Sequence, residues 1–204
     1  HIDCDALALS NGWNPTLHLT CHHNNKPVWD GPRACCVPKH LPQGMRLAGA
    51  VTGDFSLRDA LSQGWQQGAA VAEDCGFKPG VFEALSCSDE PQEGISVWSV
   101  AGKGKAFIDL QHDVTSDDVA LAHREGYRSV EHLKRYTTLG MGTDQGKTSN
   151  VTGLAVMAGL CGTGIADVGT TVFRPPYTPV AIGALAGAHR DRHFRPTDRK
   201  STRL

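Results

Sequence analysis

The sequence predicts a mixed α/β chain built as two units joined by a linker. Three observations carry that prediction. Short apolar runs such as IDCDALAL (residues 2–9) and RLAGAV (residues 46–51) have strand length. Ser56-Leu57-Arg58-Asp59 and Thr115-Ser116-Asp117-Asp118 are capping-box patterns, each opening a stretch of helical period. Between the units, FKPGVFEALSCSDEPQEG (residues 77–94) carries the Pro, Gly, Ser and Glu content of a linker.

In the first unit, residues 2–9 read as a buried strand running into the Asn11-Gly12 turn. Residues 16–44 read as irregular, punctuated by Pro27, Pro32, Pro38 and Pro42. Residues 46–51 read as a second small strand broken by Gly53. A helix follows from the Ser56 cap to about Asp74, with Leu57, Ala60, Leu61, Trp65, Ala69 and Ala72 near one face and Gly76 as its stop. A small strand, a turn of small residues and a capped helix can present backbone amides to a cofactor, which makes Gly49, Ala50 and Gly53 candidate dinucleotide contacts.

In the second unit, residues 95–100 and 105–110 read as two strands separated by Gly102-Lys103-Gly104. A helix capped at Thr115 ends at Gly126. The next, capped by Ser129, is expected to turn Val130, Leu133 and Tyr136 inward and to place Lys134 and Arg135 near its C-terminus. Those two cations either serve a ligand or merely complement the helix dipole. Asn150 is expected to cap a helix over 151–160 that ends at Cys161-Gly162, and residues 180–188 read as a helix of small residues.

Composition excludes several classes. The chain has 204 residues, 40% of them hydrophobic, enough for a packed core. A net charge of −1 removes the electrostatic case for nucleic acid, and 6% aromatic content argues against a base-stacking platform. No apolar run approaches the roughly 20 residues that span a bilayer. Seven scattered cysteines without C-x-x-C favour a reducing cytoplasm over a disulfide framework. His18, Cys21, His22, His23, Cys35, Cys36 and His40 cluster in sequence but lack zinc-finger or ribbon spacing, so no metal site is expected. The chain opens without an initiator Met or a signal pattern and reads as an internal fragment.

The richest stretch is HLKRYTTLGMGTDQGKTSN, residues 132–150. Its GKT resembles the end of a phosphate loop, but the first glycine that such a loop needs falls on Met141, with Gly140 and Gly142 each one position off. A phosphate loop also follows a hydrophobic strand, whereas residues 130–139 are polar and helix-like. The ATP/GTP reading is therefore set aside.

Residues 4–19 and 46–72 together resemble the closing segment of the FAD/NAD-binding domain of glutathione-reductase-like flavoproteins, with Ala50 where those proteins carry an Asp that touches the flavin. Residues 110–149 resemble the small helical (BFD-like) [2Fe–2S] module of amine and opine dehydrogenases. The resemblance puts the cluster ligands at Asp109, Gln111, Asp144 and Ser149. None is Cys, and such clusters need thiolates, so no iron–sulfur cluster is expected. KRYTTLGMGTDQGKTSN, with the downstream GTTVFRPPYTPV, is similar to the alpha subunits of the heterotetrameric sarcosine oxidase family.

That resemblance implies domains at 1–76 (FAD/NAD-binding-like), 95–162 (the cluster-free module) and 163–204, a connector toward an aminomethyltransferase-like folate domain not contained here. The family demethylates sarcosine to glycine with release of hydrogen peroxide and passes the one-carbon unit to tetrahydrofolate. NAD is expected in the alpha subunit, FMN at its interface with the beta subunit, FAD in that partner and tetrahydrofolate in the missing domain. Further small subunits complete the complex. Lys134, Arg135, Thr137, Thr138, Gln145, Gly146, Lys147 and Thr148 are the candidate FMN contacts, and no catalytic residue is assigned. The competing reading is a non-catalytic docking module of an amine or opine dehydrogenase-type complex.

Overall fold

The computed structural model describes residues 2–6, 8, 12–81, 87–88, 96–173, 178–180 and 184–185. The architecture is mixed helix and strand, with two small antiparallel hairpins and five α-helices among the described residues.

Two apolar clusters position everything else. The larger holds Val114, Val119, Ala122, Leu133, Leu139 and Met157, with Ile108, Val156, Cys161 and Val168 packed against it. It is built by hairpin β3–β4 (Phe107–Asp109, Val114–Thr115) and by α2 (Ser116–Arg124), α3 (Val130–Thr137), α4 (Asn150–Cys161) and α5 (Ile165–Val168). Burial of a side chain the size of Leu133 or Met157 stabilises the fold by about 1.5–3 kcal/mol. The smaller cluster holds Leu17, Cys21 and Cys36, flanked by Trp29, Val51, Val172 and Phe173.

Local chemistry explains the helix ends. The Ser56 hydroxyl accepts the Asp59 amide at 3.0 Å and opens α1 (Leu57–Asp74), as the sequence predicts. At its far end Gly76 takes φ +82°, and the Phe77 amide reaches back to the Ala72 carbonyl at 2.8 Å. Thr115 and Asp118 form a reciprocal capping box on α2, and the Tyr127 amide closes that helix on the Ala122 carbonyl. Helix α4 ends at Cys161-Gly162, also as expected.

Several expectations are corrected. Residues 2–6 and 8 form no strand: Ile2 is 91% exposed, and no partner strand exists among the described residues to accept its ladder. Residues 46–51 are not a strand either. Gly49 takes φ +73°, which breaks extended geometry and starts a 3-10 turn over Gly49–Thr52. The supposedly irregular 16–44 stretch contains a 3-10 helix (His18–Asn24) and the hairpin β1–β2 (Val28–Asp30, Cys35–Val37). Asp30-Gly31-Pro32-Arg33 makes its turn, with the Asp30 carboxylate accepting both the Arg33 amide and its guanidinium. Residues 96–100 carry no strand, and the 105–110 run shortens to β3.

Three side-chain assignments also change. Ser129 stands at the N-cap of α3 without a side-chain cap bond; its carbonyl takes the His132 and Leu133 amides instead. Tyr136 is 40% exposed, its ring against Tyr127 and its hydroxyl donating to Glu125 at 3.0 Å. Ser149, not Asn150, precedes the first turn of α4. The 180–188 helix lies mostly outside the described residues, as do most of the linker and the basic exit beyond residue 188.

The extended segment 169–173 joins the two clusters. The Thr170 hydroxyl donates to the Pro27 carbonyl at 3.4 Å, and the Val172 amide donates to the Glu131 carboxylate at 3.3 Å. Phe173 packs edge-on against His18.

Candidate functional site

The loop between α3 and α4 turns on left-handed residues: Thr138 (φ +65°), Gly140 (+68°), Gln145 (+53°) and Gly146 (+73°). A Cβ added at Gly146 or Gly140 would run into the Asn150 side chain, so glycine is required at both by packing as well as by φ. Asn150 lies across these glycines and donates to the Gln145 carbonyl at 3.4 Å, which is why it does not cap α4.

The four positions Asp109, Gln111, Asp144 and Ser149 converge. Asp109, only 2% exposed, accepts the Gln111 amide at 2.9 Å and the His112 amide at 3.4 Å through Oδ1. Its Oδ2 takes the Gly140 amide at 2.8 Å and the Ser149 hydroxyl at 3.5 Å. The Gln111 carbonyl oxygen receives the Thr143 hydroxyl at 3.2 Å and the Asp144 amide at 3.4 Å. A lattice of oxygen acceptors thus holds hairpin β3–β4 to the loop.

Asp144 organises the loop's second half. It accepts the Gly146 amide at 3.0 Å through one oxygen and the Thr148 hydroxyl at 2.9 Å and amide at 3.4 Å through the other. Partial burial would raise its pKa, but these donors and the nearby Lys147 outweigh it and hold the carboxyl below its ordinary range.

The remaining sequence-predicted residues divide into two groups. The Thr137 hydroxyl donates to the Leu133 carbonyl and accepts the Leu139 amide; Thr138 bonds the Thr137 carbonyl; Gln145 donates to the Gly142 carbonyl. Arg135 lies outward in an i,i+4 ion pair with Glu131 at 3.0 Å, the favourable order along a helix. Those side chains make local bonds. Lys134 and Lys147 are half-buried, and the Lys147 ammonium also makes a local bond, donating to the Asp144 carbonyl at 3.3 Å. Lys134 shares a small cleft with Thr171 and Asn150, while Lys147 lies near His18, whose pKa is lowered first by burial and then by that lysine and His22.

An amide cradle for a phosphate is not what the loop offers. The amides of Gly140, Met141, Asp144, Gln145, Gly146, Lys147, Thr148 and Ser149 all find acceptors within the chain.

Gly49, Ala50 and Gly53 do not form an open turn. The Gly49 amide donates to Gln63 Oε1 at 2.8 Å, and a Cβ at Gly53 would meet Val37 at 2.8 Å. Ala50 alone is exposed. Gln63 and Asp54, joined at 2.6 Å, hold this turn, and the sequence flags them only as polar residues on an amphipathic helix and before its cap.

The His/Cys run does not gather into a metal site; among the described residues no group of three or more His, Cys, Asp or Glu is arranged to hold a metal. Burial pushes the Cys35 thiol up to about 11 and the Cys36 thiol up to about 12, and raises Cys21 as well. These thiols pack as small apolar groups. No described helix is long and apolar enough to cross a membrane.

Comparison with known proteins shows what the chain is similar to. Residues 103–189 match the family model described as the sarcosine oxidase A3 domain. The chain is 43% identical over 205 residues to sarcosine oxidase subunit alpha of Rhizobium meliloti (strain 1021), covering 98% of the chain and 20% of that relative. It is 40% identical over 203 residues to sarcosine oxidase subunit alpha of Corynebacterium sp. (strain P-1), covering 95% of the chain and 21% of the relative. Its fold is similar to part of L-proline dehydrogenase from P. horikoshii, at a TM-score of 0.60 and 20% identity, over 85% of this chain and 37% of that one. The chain thus spans about a fifth of the length of the curated relatives it matches.

Proposed function

We propose that this chain is a segment of the alpha subunit of a sarcosine oxidase, an oxidoreductase acting on a CH–NH donor. In that reading it supports oxidative demethylation of sarcosine to glycine, with hydrogen peroxide formed and the one-carbon unit passed to tetrahydrofolate. The observation that carries it is identity of 40–43% to sarcosine oxidase alpha subunits over nearly the whole chain.

Within the complex, residues 1–76 belong to an NAD-binding-type domain and 95–162 to a BFD-like module in which oxygen side chains replace cluster thiolates. Residues 163–204 lead toward a folate-binding domain. The oxygen donors at Asp109, Gln111, Asp144 and Ser149 support the cluster-free reading, because they satisfy one another by hydrogen bonds and supply no thiolate. The beta subunit, with its FAD, and further small subunits are the partners, and the assembly is cytoplasmic.

The end of α3 and the loop after it, Lys134 to Thr148, border the FMN at the alpha–beta interface. Half-buried Lys134 and Lys147 support this role: a lysine near a flavin's phosphate or its N1/C2 carbonyl edge stabilises negative charge there. Thr137, Thr138, Gln145, Gly146 and Thr148 shape the loop, and Arg135 stays on the outer face of α3 in its ion pair with Glu131. The flavin supplies the redox chemistry; the chain's part is to bind and orient it.

Replacing Lys147 by Met in the assembled complex tests the assignment. The expected result is lower FMN content and slower reoxidation, and parent values for both would reject it. The local bonding of Thr137, Thr138 and Thr148 favours a second reading, a docking module whose loop touches only protein. In that case Lys147→Met would weaken subunit association while leaving flavin content per assembled complex unchanged.

A further inference from the structure

Asp109 is a buried carboxylate to which the proposed flavin role assigns no task. It is 2% exposed, yet it pairs with no cation among the described residues; its partners there are hydrogen-bond donors. Those donors come from three places: the β3–β4 turn (Gln111, His112), the start of the glycine loop (Gly140) and its end (Ser149). Hairpin and loop are forty residues apart in sequence at the Ser149 contact. A group that fastens both ends of the ten-residue Gly140–Ser149 loop to a hairpin sets the loop's shape in a way that no local turn bond can.

We infer that Asp109 is the positioning residue of this site: its carboxylate pins the Gly140–Ser149 loop to the β3–β4 turn and thereby fixes where Lys147 lies. The chemistry requires an acceptor at both oxygens. An asparagine has the same shape, but its NH2 would face a backbone N–H in either orientation. It would meet Gln111 and His112 on one side, or Gly140 on the other. The lost bond would be in a buried site, where an unsatisfied amide is costly. The flavin half of this inference rests on the proposed function; the pinning of the loop does not.

The test is hydrogen exchange on the full assembled complex carrying Asp109→Asn, with FMN content and the visible circular dichroism of the flavin read in parallel. The expected result is exchange about tenfold faster across Gly140–Ser149, the equivalent of one lost bond to a buried acceptor, with α2 and α4 protected as in the parent. Parent-like exchange in the loop, or a uniform rise through the whole unit, would overturn the inference. Should Asp109→Asn fail to accumulate, Ser149→Ala removes a single donor from the same oxygen. Exchange at the Gly140 amide should then rise about two- to fivefold, and no change there overturns the inference equally. The flavin reading is judged separately. A faster loop accompanied by lower FMN and an altered flavin signal supports both claims. A faster loop with parent FMN and parent signal, together with parent FMN in Lys147→Met, rejects the flavin assignment and upholds the pin.

Discussion

The Asp109 carboxylate accepts the Gly140 amide at 2.8 Å, joining a hairpin to a loop 31 residues later. Around that bond the chain uses steric exclusion as well as attraction. Gly140 and Gly146 both take left-handed φ under the Asn150 side chain, and Gly142 packs so closely on Gln111 that a Cβ there would meet its Cβ at 2.9 Å. At these three positions a side chain would collide, so the loop's shape requires glycine.

Gly146→Ala should therefore destabilise the chain by about 2 kcal/mol, combining left-handed strain with overpacking against Asn150. For a chain of this size that corresponds to a melting temperature lower by roughly 4–8 °C. Gly80→Ala, where nothing lies within 4 Å of the new Cβ and φ is not positive, is the matched control and should change little. Equal melting temperatures for the two variants would show that the loop can yield around the new methyl group.

Helix α3 separates what the sequence can reveal from what it cannot. Its existence follows from the VEHLKRYT pattern, and Leu133 is fully buried as expected. Tyr136 shares Leu133's helical face by spacing, yet it ends outside because Glu125 and Tyr127 give its ring and hydroxyl a better place at the surface. Leu133→Ala should cost about 2–5 kcal/mol, whereas Tyr136→Phe should stay within about 0.5 kcal/mol. Urea unfolding of both variants checks the pair; a loss in Tyr136→Phe comparable to that in Leu133→Ala would show that the hydroxyl's bond to Glu125 contributes far more than a surface contact.

Helix starts were legible because caps are local chemistry: Ser56 with Asp59 and Thr115 with Asp118 each lie within four residues of sequence. Strands were not, because a strand exists only if a partner pairs with it. IDCDALAL has the composition and lacks the partner, while VWD and CCV have little length but face each other across the Asp30–Arg33 turn. Asn150 shows the limit within a single residue. Its type favours a cap, but two glycines beneath it and the Gln145 carbonyl beside it draw the side chain elsewhere. The site was half legible. The resemblance to the iron–sulfur module, and no pattern in the residues themselves, named Asp109, Gln111, Asp144 and Ser149 together as positions. That Asp109 would be a shared acceptor depends on burial, which spacing does not encode.

Stability should fall in acid through identifiable carboxylates. The Thr115 hydroxyl and amide hold Asp118 below its ordinary pKa, and the Gly146 and Thr148 donors do the same for Asp144 against its burial. A carboxyl whose folded pKa is depressed contributes stability above its unfolded value of about 3.9, and loses it as pH falls through the lower folded value. The urea midpoint should thus be level near pH 6 and decline below about pH 4. Asp118→Asn should lower the midpoint near pH 6, through loss of a cap worth about 1 kcal/mol, and should converge with the parent in acid. A constant gap between the two at all pH values would show that the charge on Asp118 contributes nothing.

The thiols give the last prediction, and it tests the packing of the first unit directly. Cys4 and Cys75 are exposed, whereas Cys21, Cys35 and Cys36 are buried, with Cys35 raised to about 11 and Cys36 to about 12. Alkylation proceeds through the thiolate, so near pH 8 only about one Cys36 molecule in ten thousand is in the reactive form, before access is considered. Native-state labelling with iodoacetamide, read by peptide mass, should modify Cys4 and Cys75 first and spare Cys36 until the protein unfolds. Cys21 and Cys36 share one apolar cluster with Val172 and Phe173, so their exposure also reports on segment 169–173. A variant that frees this segment, such as Phe173→Ala, should make both thiols label faster while Cys75 is unaffected. Rapid labelling of Cys36 in the unmodified fold would mean that the cluster of Leu17, Cys21 and Cys36 with Val172 and Phe173 is not closed.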